Sequence, residues 1–185
     1  MPQTSTNLPC NIRQATEDDL EALTTVELSA TSIFGTIPAL ADLSSNHASP
    51  DQLRQWFSTG RIYIAEDNGK PVGYVSAVPM DAVLYIAEIS TIPESQGKGI
   101  GSALIQTVFA YARECVQATK EQPRVSLTTY REVAWNAPFY RRRGFKEVDA
   151  EALGPKHVAK MTLDREERDL WRPGYTRCCM LWEEE

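Results

Sequence analysis

No stretch of this 185-residue chain approaches the ~20 consecutive apolar residues that a membrane-spanning helix needs. The opening residues, Met1 to Asn7, lack both the basic start and the apolar segment of a secretory leader. A soluble, cytoplasmic protein is therefore expected. Positive charge is also scarce. Nineteen Lys and Arg against 25 Asp and Glu leave a net charge of −6, and the basic residues are dispersed. That balance argues against nucleic acid or an anionic membrane surface as a partner. Metal-ligand spacing is missing too: neither the two histidines nor Cys10, Cys115, Cys178 and Cys179 form such a set, so no metal is expected. The adjacent Cys178 and Cys179 would face opposite sides of a strand, as structural thiols in a reducing compartment. There are no repeats and no linker. A composition of 42% hydrophobic and 24% charged residues fits one domain over residues 11–185, preceded by a polar, proline-bearing tail over 1–10.

What is present reads as alternating strands and helices. Residues 11–15 form a short strand. Thr16 then caps a helix with Leu20, Leu23, Val26 and Leu28 at helical spacing. The stretch 29–47 is weakly patterned, with Phe34 and Ile37 as its apolar residues. Ser49-Pro50-Asp51-Gln52 starts a second helix, buried through Leu53, Trp56 and Phe57 and stopped at Gly60. Residues 61–66 and 72–78 are strands joined by a hairpin turn at Asp67-Asn68-Gly69-Lys70. Residues 83–92 are apolar on both faces and predict a central strand. A helix follows, with Ile100, Leu104, Val108, Tyr111 and Cys115 as its stripe. Further strands are expected at 125–130, 145–148 and 177–182, with a short helix from Asn136 to a glycine stop at Gly144. Residues 149–176 give no clear pattern: 151–154 read as loop and 158–170 as partly helical.

The most informative stretch is Glu88-Ile-Ser-Thr-Ile-Pro-Glu-Ser-Gln-Gly-Lys-Gly-Ile-Gly101. A strand ends at Pro93, glycines stand at 97, 99 and 101, and an amphipathic helix begins. This order presents bare backbone N–H groups to an anion at a helix N-terminus. Glycine also removes the Cβ atoms that would hold a phosphate away from the backbone. The spacing is not that of a mononucleotide loop, which needs four residues between its glycines and then Lys-Ser/Thr. Nor is it a dinucleotide fingerprint, since the third glycine arrives one residue early. What remains is Gln96-x-x-Gly99-x-Gly101.

Gln-x-x-Gly-x-Gly after a strand resembles the pyrophosphate loop of the GNAT superfamily of N-acetyltransferases. Asn136-Ala-Pro-Phe-Tyr140-Arg-Arg-Arg-Gly144-Phe145 is similar to that family's second coenzyme A motif. The two stand in the family's order, within a resemblance running from about Ile12 to Val148. The run from Leu127 to Asn136 further resembles a small-amine branch. The resemblance implies a single three-layer α/β (α+β) domain, its mixed and mainly antiparallel sheet flanked by helices. It implies acetyl-CoA as cosubstrate, held by Ser90, Thr91, Ile92, Gln96, Gly97, Lys98, Gly99, Ile100, Gly101, Ser102, Asn136, Phe139 and Tyr140. It also allows a homodimer.

Acetyl transfer to an amine requires a base, an oxyanion donor and a proton for the departing thiolate. Glu88 is a carboxylate inside an apolar strand, where burial would raise its pKa into a useful range, and it is the expected base. Tyr140 matches the family's tyrosine near the sulfur and is the expected acid. The resembled fold splays its strands beside 89–92, so the backbone there is expected to pair with the pantetheine amides, with the Ile92 N–H as carbonyl donor. Phe34, Tyr130 and Trp135 are the candidate acceptor-binding residues. Arg141, Arg142 and Arg143 read as a solvated helix end, with a contact to the CoA 3′-phosphate as the alternative, and His47 and His157 lie outside both motifs. No cysteine lies in either motif, so direct attack without an acyl-enzyme is expected. The acceptor is expected to be a small molecule, with the acidic balance favouring a cationic one. Two other readings use the same residues: acetylation of a protein N-terminus or lysine, and an acyl-CoA-binding module without turnover. The last would have no use for Glu88 or Tyr140.

Overall fold

The computed structural model of the chain describes residues 10–119 and 121–184. The expected tail, apart from Cys10, lies outside them. Seven strands form one sheet in the order β1-β2-β3-β4-β5-β7-β6. They are β1 (Asn11–Gln14), β2 (Arg61–Asp67), β3 (Lys70–Met80), β4 (Val83–Thr91), β5 (Arg124–Tyr130), β6 (Lys146–Val148) and β7 (Arg177–Glu183). Every neighbouring pair is antiparallel except β4 and β5. The mixed, mainly antiparallel sheet and the central place of β4 are as the sequence predicts.

Helices cover both faces because the strands alternate apolar side chains. On one face, α1 (Leu20–Thr31) and α2 (Pro50–Thr59) bury Leu20, Leu23, Val26 and Leu53 against Ile62, Ile64 and Tyr74. On the other, α3 (Ile100–Val116) and α4 (Ala137–Arg141) pack Leu104, Ile105, Val108, Phe109 and Tyr140 against Tyr63, Val75, Leu127 and Met180. Cys178 and Cys179 do face opposite ways: Cys178 joins the α3 core, and Cys179 joins Leu153 and Leu181 under α5 (Ala150–Leu153) and α6 (Pro155–Glu166).

Several local expectations change. Residues 29–47 are more ordered than their pattern suggests: α1 runs on to Thr31, and 3-10 turns occupy Ser32–Thr36 and Pro38–Ser45. The α3 stripe drifts from Cys115, which is exposed, to Phe109 and Ala112. Gly60 ends α2 by close approach, not by a left-handed turn: its φ is −144°, and a Cβ there would stand 2.1 Å from the Ala77 carbonyl oxygen. Within 149–176, α5 replaces the loop expected over 151–154, and α6 carries the helix expected within 158–170.

The start of α6 is clamped to the sheet. Asp81 accepts the Lys156 and His157 backbone N–H groups and the His157 ring at Nδ1, 2.7 Å away. The other ring nitrogen meets Ser126 Oγ at 2.8 Å. These are the residue types of a hydrolase triad, but Ser126 is fully buried and lines no cleft, so the trio serves as a strut.

Candidate active site

The sheet splits down its middle. β4 pairs with β5 only through Leu84–Val125, Tyr85–Ser126 and Ile86–Leu127. At that point β4 carries a bulge: Ser76 opposes Glu88 and Ala77 opposes Ile86, leaving Ala87 unmatched. A bulge bends its strand and re-aims the side chains beyond it. From Ala87 onward β4 follows β3, while β5 follows β7 to Tyr130. The gap opens into a cleft of about 1080 Å³.

The cleft passes through the sheet. On the α3 and α4 face it is lined by Gly97, Gly99, Gly101, Ser102, Phe139 and Arg143. On the opposite face it is lined by Glu27 and the 3-10 turns around Phe34, and by α6 and the segment after it. Glu88 and Tyr140 line it between the two.

The α3 face has the anion-cradle geometry. Gly97 and Gly99 have φ of +75° and +85°, and a Cβ on either would meet nothing within 4 Å. Their glycine requirement is thus conformational, and the space in front of them is open. Gly101 differs, since a Cβ there would lie 3.2 Å from the Phe139 ring. Gly99 is the N-cap of α3, whose first peptide N–H groups have no intrahelical acceptor. Gln96 turns back to donate to the Thr91 carbonyl at 3.0 Å, closing the loop, while Lys98 is exposed. Arg143 is not the solvated helix end the sequence suggests. It lies 3.5 Å from the Phe139 ring centroid, donates to the Phe139 carbonyl at 2.6 Å, and places Nε 3.0 Å from Ser102 Oγ. It therefore stands beside the N-terminus of α3.

One backbone expectation is corrected. The Ile92 N–H donates to the Val72 carbonyl at 2.9 Å and so is not free to polarise a thioester. Peptide direction alternates along a strand, so the groups of Thr91 and Ile89 face the gap and those of Ser90 face β3. Asn136 is likewise no side-chain cap: its carbonyl accepts from Phe139 and Tyr140, and its side chain lines the cleft. Gly144 does stop α4, at φ +88°.

Glu88 sits at the bulge, opening only onto the cleft. Burial first, and the Glu27 carboxylate second, push its carboxyl up to about 7. The Ser90 hydroxyl, donating at 2.7 Å, the Ile89 N–H and the more distant Arg177 charge pull weakly the other way. No ion pair forms at Glu88 among the described residues. Glu27 is buried on α1, where it accepts from Tyr74 Oη at 2.6 Å and the Ala48 N–H at 3.0 Å. Burial raises its pKa as well. Tyr140 is raised well above the ordinary phenol range, first by burial and then by the Glu88 charge. Its hydroxyl makes no hydrogen bond with the described residues, so it carries its proton facing the cleft. A carboxyl that titrates near neutrality and a protonated phenol thus share one cavity.

Phe34, Tyr130 and Trp135 converge, with Phe34 edge-on to Tyr130 at 6.2 Å and to Trp135 at 6.0 Å. They wall the cleft on the side away from the glycine loop. Glu27 is the site residue the sequence reading passed over. Its signal was a carboxylate in the buried stripe of α1, where 3.6-residue periodicity calls for an apolar side chain.

No helix among the described residues is long and apolar enough to cross a membrane, and no group of three or more His, Cys, Asp or Glu side chains could hold a metal. Comparison with known proteins follows the geometry. Over 95 residues the chain is 35% identical to an uncharacterized N-acetyltransferase of Methanocaldococcus jannaschii, a match that spans 48% of this chain and 40% of that relative's length. A PaiA N-acetyltransferase from Thermoplasma acidophilum, solved in complex with coenzyme A, superposes with a TM-score of 0.64 over 95% of this chain and 99% of that one, at 14% identity. The ribosomal-protein-S18-alanine N-acetyltransferase from Escherichia coli gives 0.62 over 94% and 93%, at 16% identity. At such identities the likeness is one of fold. Residues 32–145, more than half of the chain, match the acetyltransferase (GNAT) family, and the chain belongs to that family.

Proposed function

We propose that this chain transfers the acetyl group of acetyl-CoA to a primary amine of a small molecule, by direct attack. The observation that carries this reading is a carboxylate with a pKa of about 7 sharing the split in the sheet with a protonated tyrosine. The cosubstrate enters from the α3 face. Its pyrophosphate takes the α3 N-terminus and the open space before Gly97 and Gly99, with Arg143 beside it as counter-charge. Its pantetheine arm lies along the gap, where the Ile89 and Thr91 peptide groups and the Asn136 side chain serve as partners. The amine enters from the opposite face. Glu88 takes its proton, directly or through water, as nitrogen attacks the thioester carbonyl. The tetrahedral intermediate expels the thiolate, and Tyr140 supplies the proton that makes it a thiol. A cleft of about 1080 Å³ that must also hold the pantetheine arm leaves space for an acceptor of small-molecule size.

The test is free-thiol release from acetyl-CoA across a panel of small amines and of peptides with free N-termini. At least one small amine should give saturable release. Release from peptides alone would refute the small-molecule acceptor. A thermal shift with CoA but no release from any member would make the chain a binding module.

The Glu27–Glu88 pair adds a pH prediction. Glu88 must be ionised to act, so the rate rises with pH through about 7. Glu27→Gln removes the neighbouring negative charge and favours the ionised form of Glu88. The acid limb of kcat/KM should therefore move to lower pH. It should not return to the value of an exposed glutamate, because burial is the larger cause. An unmoved limb would show that Glu27 does not act on the base.

A further inference from the structure

The acceptor side of the cleft carries an excess of positive charge inside a chain whose net charge is −6. Lys160 on α6, Arg168 just beyond it and Arg177 at the start of β7 all line the cleft. One carboxylate serves all three. Asp164, fully buried, receives Lys160 Nζ at 2.5 Å, and lies 3.5 Å from Arg177 Nε and 3.9 Å from Arg168. Only the lysine contact is a hydrogen bond. Arg177 Nε and Asp164 Oδ2 are buried atoms without a hydrogen-bond partner. Three basic side chains share this one carboxylate, and the carboxyls of Glu27 and Glu88, both raised by burial, line the cleft beside them. Burial lowers the Lys160 pKa, and the Arg177 and Arg168 charges lower it further.

The cluster is built rather than loose. Arg177 donates Nη2 to the Thr128 carbonyl and hydroxyl at 3.1 and 3.0 Å, and its guanidinium lies 5.0 Å from the Tyr130 ring. Its side chain is 14% exposed. Burying cations without a matching charge is costly, and a charge-assisted partner relieves that cost. The Arg177 Nε–H faces Asp164 Oδ2 at 3.5 Å without closing a hydrogen bond, so that pairing is loose. Glu27 and Glu88 also line this side, where Glu27 accepts from Tyr74 and the Ala48 N–H and Glu88 accepts from Ser90.

We infer that the acceptor amine also carries a carboxylate, which docks against Lys160, Arg168 and Arg177 while the amine reaches Glu88. This rests on the proposed acetyl transfer to a small amine and narrows it to an amino-acid-like class. Arg177 and Glu88 line the same cleft, so one small molecule can present its two ends to both. A polyamine is disfavoured by the same cations, contrary to what the net charge of the chain suggests.

The test uses the full chain, acetyl-CoA and matched pairs: amino acids and their primary amides, with thiol release as readout. For at least one pair the acid should exceed its amide by about tenfold or more in kcat/KM, mainly through KM. Arg168→Gln should reduce that ratio several-fold. Arg168 is 49% exposed and 3.9 Å from Asp164, so this variant spares the packed part of the cluster. A merely structural role would depress both members of a pair alike. Amides that match or exceed their acids in every pair would overturn the inference while leaving acetyl transfer intact, as would a ratio unmoved by Arg168→Gln. Release from neither acids nor amides, with another small amine turned over, would overturn this inference alone; no release from any small amine would overturn the small-amine reading as well.

Discussion

Glu88→Gln should lower kcat by roughly 10²–10⁴, the usual range for loss of a positioned general base. It should also abolish the rise of rate through pH 7 that the raised carboxyl produces. The affinity for acetyl-CoA should stay within about threefold, because the anion cradle lies beyond this side chain. The same substitution should raise stability at alkaline pH. In the folded chain the group titrates at about 7, above its ordinary 4.5, so the fold favours the protonated form. Stability is then undiminished below pH 4.5, falls as pH rises towards 7, and is lowest above it. Glutamine cannot ionise. The variant should therefore melt higher than the parent at pH 8, with the difference shrinking towards pH 5. Melting curves at the two pH values, alongside initial rates, check both halves. A variant with the parental rate at every pH would remove Glu88 from the chemistry, and one less stable at both would make its carboxylate structural.

Tyr140→Phe should cost about 10²-fold in kcat if its proton goes to the departing sulfur. The phenol makes no hydrogen bond to the described residues, and its ring packs on Phe139 and Phe145 at centroid distances of 5.2 and 5.7 Å. Phenylalanine preserves that packing, so stability should change by less than about 1 kcal/mol. KM for acetyl-CoA should be nearly unchanged. Steady-state kinetics with a calorimetric melt separate the outcomes. Unchanged kcat would dismiss Tyr140 as the acid, and a large fall in melting temperature would make it a packing residue.

The legible parts of this site are those whose chemistry is local. Gly97, Gly99 and Gly144 stand where the backbone turns left-handed, and a left-handed turn at a helix end leaves its mark in the sequence. A lone acid in an apolar strand marks Glu88 in the same way. The illegible parts are tertiary. β7 inserts between β5 and β6, a position no spacing records, and that insertion brings Arg177 to Thr128 and Tyr130. Lys160 and Arg168 read as ordinary charges on a polar helix until the fold turns them onto the cleft. Glu27 and Arg143 were misread for a related reason. Glu27 is the one carboxylate in an otherwise apolar stripe, and Arg143 is one of three arginines that only packing tells apart. The Ile92 peptide was misassigned because its direction depends on register with Val72, which follows from the whole β3–β4 pairing.

The seam where β4 leaves β5 is edged by peptide groups, those of Ile89 and Thr91, and peptide groups are the same whatever side chains they carry. An opening framed in this way keeps its donors and acceptors through almost any drift in sequence, provided the bulge and the strand direction persist. The positions that cannot drift are few: the glycines that need their conformation, and the side chains that move protons. Inheritance at this site is therefore uneven. The frame is nearly free to vary in composition, which is consistent with a shared architecture at 14% identity. The wall beyond it, built from Phe34, Trp135, Lys160 and Arg168, depends wholly on side chains, and there a few substitutions suffice to change the guest.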